Sequence, residues 1–238
     1  MAVLFSAYAW IFAACFAAVG LPLIAALVAV LPRDRVWPRI GRIARAALAA
    51  IGIRARLEGG EHAVPGRRYI VMGNHVSFLD IFLFAATFPM PVIAVEKREN
   101  FRLPVYGWLV ARWGNIPINR EDRDEALRAL AEARSRLETW DCALVVMPEG
   151  TRTKTGLMGP FKRGGFHLAV QTGTPILPFT FEGAYDVHPT GTYSFRPGEV
   201  VVRLHAPIDP AQFGPERLDD FIAAVREAIS QGRALERL

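Results

Sequence analysis

Between Asn74 and Asp80 the chain reads Asn-His-Val-Ser-Phe-Leu-Asp, which sets a histidine and a carboxylate five residues apart. The Tyr69–Met72 run before it is short, apolar and of β type, and Ile81–Ala86 after it is an apolar run of helical type. On one continuous helix five residues turn through about 500°, leaving the two side chains roughly 140° apart. His75 and Asp80 therefore meet only if the histidine lies in the turn and the aspartate in the first helical turn. That arrangement holds one ring nitrogen on a carboxylate and leaves the other to take a proton, the wiring of a general base. The same spacing also suits a capping or purely structural pair.

Three other clusters carry chemical potential. Gly114-Asn115-Ile116-Pro117-Ile118-Asn119-Arg120 ends a β-type run with an arginine, which could equally pair with the acidic helix start after it. Pro148-Glu149-Gly150-Thr151-Arg152 follows the apolar run Ala143–Met147, and open α/β sheets place ligand contacts at such strand ends. An ordinary polar turn has a similar composition. Phe161-Lys162-Arg163-Gly164-Gly165 opens a helix, bringing two cations and free backbone N–H groups together in a way that suits an anion, a phosphate in particular.

The elements that must position these residues alternate. Strands are predicted near 53–57, 69–73, 92–95, 115–118, 142–147, 175–182 and 199–205, and helices near 78–88, 103–112, 121–139, 163–172 and 215–232. In the 121–139 helix, Leu127, Leu130, Ala133, Leu137 and Trp140 make one apolar stripe, and acidic residues crowd the first turn, where the helix dipole favours them. The alternation predicts an α/β fold: a mixed, largely parallel sheet flanked by helices. With 238 residues, one catalytic domain (53–238) plus an N-terminal appendage (1–52) accounts for the chain.

That appendage has two parts. Residues 1–32 carry no charged side chain, a run long enough to enter or cross a bilayer core of roughly 30 Å. Gly20 and Pro22 interrupt it, so one kinked span and two shorter pieces are both open. No Lys or Arg precedes the apolar stretch, which argues for a retained anchor over a secretory leader. Residues 33–56 then hold seven arginines against Asp34 alone, a local charge of +6 in a chain of +5. The remainder is thus slightly acidic, and no nucleic-acid partner is expected. Arg35, Arg39, Arg42 and Arg45 recur at helical spacing beside an apolar stripe of Trp37, Ile40, Ala44, Ala47 and Ile51, as in a basic helix lying on anionic lipid. A helix packed on the domain has the same pattern; adjacency to the anchor favours lipid. Arginines after an apolar segment put the following domain on the cytoplasmic side. Cys15 and Cys142 form neither a disulfide framework nor a zinc pattern.

Taken together these blocks resemble the lysophosphatidic acid acyltransferases and the wider glycerolipid acyltransferases. The Asn74–Asp80 block, the stretch from Lys97-Arg98-Glu99 through Pro104 and Gly107 to Gly114–Arg120, the Pro148–Arg152 block and Thr174-Pro175-Ile176-Leu177-Pro178 through Gly183 stand in the family's order, and Phe161–Gly164 matches as well. The resemblance covers about residues 70–185. Two positions depart from it: Asn100, where the family usually has an apolar residue, and Met147, where an aromatic commonly precedes the proline.

The resemblance implies transfer of a fatty acyl group from acyl-CoA or acyl carrier protein to the sn-2 hydroxyl of lysophosphatidic acid, at the cytoplasmic face of a bacterial-type inner membrane. No cofactor or metal is implied beyond the thioester co-substrate. His75 and Asp80 are then catalytic. Asn74, Ser77, Lys97, Arg120, Glu149, Gly150, Thr151, Arg152, Lys162 and Arg163 line the substrates, with Arg120 and Arg152 on the acceptor's phosphate. Another acceptor, such as a lyso-ornithine lipid, uses the same blocks. A covalent route through Ser77 or Cys142 is a further alternative, and so is a membrane lipid-binding protein without catalysis.

Overall fold

A computed structural model describes residues 2–119, 121–140 and 142–234. The chain opens with α1 (Ala2–Cys15), a π turn over Phe16–Gly20, α2 (Leu21–Val30) and α3 (Arg33–Ala50). There follow β1 (Ile53–Glu58), β2 (Ile70–Gly73), α4 (Asp80–Thr87), β3 (Val92–Lys97), α5 (Tyr106–Trp113), β4 (Ile116–Ile118), α6 (Arg123–Thr139) and β5 (Ala143–Val145). The chain continues with α7 (Gly164–Thr172), β6 (Ile176–Glu182), α8 (Ala184–Val187), β7 (Gly198–Leu204) and α9 (Leu218–Ala234).

The strands join in one sheet of order β1-β7-β6-β2-β5-β3-β4, in which β6–β7 is the antiparallel pair and every other neighbour is parallel. Such a sheet is covered on both faces, and β2, β5 and β6 are buried along their whole length. The chain steps outward from β2 to β3 and β4 through α4 and α5, then back to β5 and β6 through α6 and α7. Right-handed crossovers send those two helix pairs to opposite faces. The outward and returning paths part between β2 and β5, so their C-terminal ends form the crevice where open sheets hold ligands.

The N-terminal helices pack on the α4–α5 face, α3 against α4 and α2 against α5. Residues 2–30 run as continuous helix, because the π turn lets Leu21 N–H donate to Phe16 O where Pro22 breaks the regular ladder. This helix touches the domain along its length: Tyr8 Oη donates to Ala50 O and Phe16 packs edge-on against Phe82. Its other side is apolar and exposed at Val3, Leu4, Ile11, Val19, Leu23 and Val30. By length and composition Ala2–Val30, with a mean hydropathy of 2.5, could cross a membrane. Exposed apolar side chains continue on the same face at Ile81, Leu103, Val105 and Trp108.

Two expectations are corrected. The apolar stripe of residues 37–51 does not lie toward lipid: Val36, Trp37, Ala44, Ala47 and Leu48 are buried against the domain. A Cβ on Gly41 would stand 2.9 Å from Ala85 O, so only glycine allows this approach of α3 to α4. Ala9, Val28, Val36 and Leu48 belong to the same buried cluster as Ile70 and Phe179. In α6 the stripe turns a little, with Ala129, Ala133 and Leu137 buried and Leu127 exposed.

Candidate active site

His75 follows the end of β2, and Asp80 is the first residue of α4, the geometry that the five-residue spacing requires. Their contact is His75 Nδ1 to Asp80 Oδ2 at 2.7 Å. The carboxylate is buried and also accepts the backbone N–H of Val76 at 3.0 Å and of Ser77 at 3.1 Å. Burial pushes the Asp80 carboxyl above its ordinary value, and the hydrogen bonds from His75, Val76 and Ser77 oppose that push. One residue thus holds the turn and orients the ring. The His75 side chain remains 22% exposed, with no partner for Nε2 among the described residues.

The strand ends around the turn clasp its backbone. Asn74 is buried, donates through Nδ2 to Phe181 O at 3.0 Å and accepts Phe181 N–H at 2.8 Å, tying β2 to β6. Glu149, after β5, accepts His75 N–H at 3.0 Å through Oε1 and Gly159 N–H at 2.7 Å through Oε2. Thr153 N–H donates to His75 O at 2.9 Å. Expected among the substrate ligands, Asn74 and Glu149 instead direct their polar atoms at the main chain. Glu149 holds the His75 N–H, and Asn74 holds the Phe181 main chain beside it. Ser77 is buried and its Oγ accepts Leu79 N–H at 3.3 Å, a local turn bond. Cys142 is buried at the N-terminal end of β5, the edge of the parallel sheet away from His75. Neither is placed as the acyl-carrying nucleophile of the covalent alternative.

The expected cations separate into groups. Arg152 is exposed, one residue from the Thr153 bond to His75, and its charge lies close enough to His188 to help lower that ring's pKa, although burial is the larger cause. Thr151 is exposed beside it. Gly150 has φ +71°, and a Cβ there would meet the Lys162 chain at 3.0 Å, so the lysine lies across this turn. Arg163 points elsewhere, pairing with Asp219 at 2.6 Å. Lys97 is exposed, with Nζ 3.6 Å from Glu99. Arg120 lies outside the described residues. Among the described residues no three His, Cys, Asp or Glu side chains are grouped to hold a metal ion.

Several contacts had no local signal in the sequence. Thr190 Oγ1 donates to Val76 O at 2.6 Å. Phe78, inside the turn, is packed by His188 with ring centroids 4.8 Å apart, by Trp10 at 5.7 Å and by Phe195 at 5.9 Å. All four partners are distant in sequence, and no periodicity within the Asn74–Asp80 block points to them.

A family model described as Acyltransferase matches residues 54–182. The chain is 28% identical over 221 residues to a 1-acyl-sn-glycerol-3-phosphate acyltransferase of Limnanthes douglasii, covering 90% of this chain and 78% of that one. It is 33% identical over 178 residues to 1-acyl-sn-glycerol-3-phosphate acyltransferase alpha of Homo sapiens, covering 75% of this chain and 63% of the human protein. A crystal structure of the 1-acyl-sn-glycerophosphate acyltransferase PlsC of Thermotoga maritima superposes with a TM-score of 0.80 at 26% identity, covering 97% of this chain and 95% of that one.

Proposed function

The chain belongs to the acyltransferase family, and from that premise we propose that it moves a fatty acyl group from a thioester to the free hydroxyl of lysophosphatidic acid. The observation that carries this reading is the 2.7 Å His75–Asp80 contact in the crevice between the ends of β2 and β5. An alcohol is a poor nucleophile until its proton is taken, and a buried carboxylate that fixes Nδ1 leaves Nε2 for that task.

In the proposed reaction the acceptor hydroxyl gives its proton to His75 Nε2 as its oxygen bonds to the thioester carbonyl carbon. The carbonyl becomes an oxyanion, for which backbone N–H groups at the helix start are the candidate donors. Collapse of that intermediate re-forms the carbonyl and breaks the carbon–sulfur bond. The thiolate leaves and takes the proton back from His75, so the products are diacyl phosphate lipid and free thiol. Asp80 keeps the ring oriented and balances its transient positive charge. The exposed guanidinium of Arg152 and the ammonium of Lys162 are the proposed grips on the acceptor's phosphate, which charge-assisted hydrogen bonds favour.

A hydroxyl on a lipid and a thioester in water must meet at a surface. The exposed apolar side of residues 2–30, with Ile81, Leu103 and Trp108 beside it, supports seating that face in lipid. Because the helix touches the domain along its length, we propose that it lies in the membrane surface with the domain beside it, on the cytoplasmic side.

The test is a panel assay of the purified full-length protein with several lysolipids and both acyl-CoA and acyl carrier protein donors. Lysophosphatidic acid is expected to be the preferred acceptor. His75→Ala should lower its turnover by at least ~10²–10⁴-fold, the usual contribution of a general base. Substantial activity in a folded His75→Ala protein would sink the mechanism, and preference for a lyso-ornithine lipid would replace the acceptor.

A further inference from the structure

Among the residues by which the apolar N-terminal helix touches the domain, Trp10 reaches the turn between β2 and α4. Trp10, though 37% exposed, lays its indole on Phe78, with ring centroids 5.7 Å apart and an interplanar angle of 23°. Phe78 lies between His75 and Asp80, in the turn whose shape sets their contact. The same indole meets Phe195 at 5.3 Å and His188 at 6.1 Å, both edge to face, and its Nε1–H donates to Tyr193 O at 3.0 Å. One turn earlier, Ser6 Oγ accepts Phe195 N–H at 3.0 Å. The 188–195 segment is therefore latched to α1 by the hydrogen bonds of Trp10 and Ser6, while its Thr190 donates to Val76 O.

We propose that Trp10 is a positioning residue for the catalytic turn, acting through Phe78, so that the helix facing lipid is also a wall of the active site. This rests on the assignment of His75 as general base. Asp80 fixes the turn from within through Val76, Ser77 and the imidazole. Phe78 carries no such bond to Asp80; the rings that meet it among the described residues are Trp10, His188 and Phe195. Aromatic pairs of this kind attract beyond their buried area, and together they favour one rotamer of Phe78. Without the indole, Phe78 can turn into the space left behind, and the 76–79 main chain relaxes with it. A displacement of about 1 Å at a catalytic group costs on the order of 10²-fold in rate.

Full-length Trp10→Ala, Trp10→Leu and Trp10→Phe, with His75→Ala as reference, separate positioning from anchoring. The substrates are acyl-CoA and a short-chain lysophosphatidic acid kept monomeric in water, so that membrane residence does not limit the rate. Vesicle sedimentation and thermal midpoint are recorded in parallel. Trp10→Ala is expected to lose ~10–10²-fold in kcat while both KM values stay within about twofold, the signature of a group acting on the chemical step. Trp10→Phe keeps a ring on Phe78 and should recover most of kcat. Trp10→Leu keeps apolar bulk in a folded protein but should behave like Trp10→Ala. Native kcat in Trp10→Leu, or a Trp10→Phe protein as slow as Trp10→Ala, overturns the proposal. A silent His75→Ala protein beside an unaffected Trp10→Leu protein overturns it while leaving the general base intact.

Discussion

Residues 2–30 and 33–50 are adjacent helical segments of similar purpose by composition, one charge-free and one basic and amphipathic, yet the domain uses them in opposite ways. The charge-free segment leaves much of its apolar surface open at Val3, Leu4, Ile11, Val19, Leu23 and Val30. The amphipathic one closes its apolar stripe against α4 and keeps Arg35, Arg39 and Arg42 outward. A stripe about one third of a helix wide is satisfied by a single neighbour, whereas a helix apolar all round cannot be covered by one contact face. The first segment thus keeps an apolar side open after the domain has taken what it can. The second needs nothing more.

The strongest way to break this contrast is to change the outer side of the first segment alone. Replacing Val3, Leu4, Ile11, Val19, Leu23 and Val30 by Gln spares Trp10 and Ser6, which bond residues 193 and 195. Each buried aliphatic side chain contributes roughly 1.5–3 kcal/mol, so vesicle binding should fall by more than ~10³-fold while turnover on a monomeric substrate survives. Retained salt-resistant sedimentation would show that residues 2–30 do not hold the protein to lipid.

The second segment should answer to stability instead. Trp37 is buried, stacks on Trp113 at 5.7 Å and donates to Phe88 O at 3.0 Å. Trp37→Ala should therefore cost about 3–5 kcal/mol by denaturant titration, with vesicle binding of the folded fraction unchanged. A protein of native stability that leaves the membrane would restore the lipid-facing reading of α3.

The exposed arginines sharpen the contrast at lower energy. Arg35, Arg39 and Arg42 converted together to Gln should remove up to about 1 kcal/mol each at low salt, and almost nothing at high salt, because surface charge is screened within a Debye length. Loss of binding at high salt in this variant would mean that charge, not apolar contact, is the main anchor.

The smallest effect concerns the aromatic cluster under α1. Burial, and secondarily the Arg152 charge, lower the pKa of His188 against the opposing bond to Ser194 O. The folded state therefore prefers the neutral ring. That contribution to stability is complete above the ordinary histidine pKa of about 6.5 and is lost as pH falls through it toward the lowered folded value. The thermal midpoint should drop over that window, and less so in His188→Gln. Parallel curves for the two proteins would remove His188 from the account.

Much of this architecture was legible in the chain. All seven strands and the five helices expected after residue 53 stand within a few residues of their predicted places, since period and turn chemistry are local properties. The His75–Asp80 contact was legible as well, because a five-residue separation admits only one way for the pair to meet. The fate of Glu149 and Asn74 was not. A carboxylate beside a glycine turn reads as a ligand contact, and only the arrival of β5 beside β2 turns it onto His75 N–H.

The sequence by itself determined the elements, the family and the meeting of His75 with Asp80. Tertiary structure decided what covers each face: α4 rather than lipid against the Trp37 stripe, and Trp10 against Phe78. An apolar residue states only that it must leave water. Which surface receives it depends on groups far away in the chain, such as the Ala85 carbonyl that approaches Gly41, and no local pattern contains them.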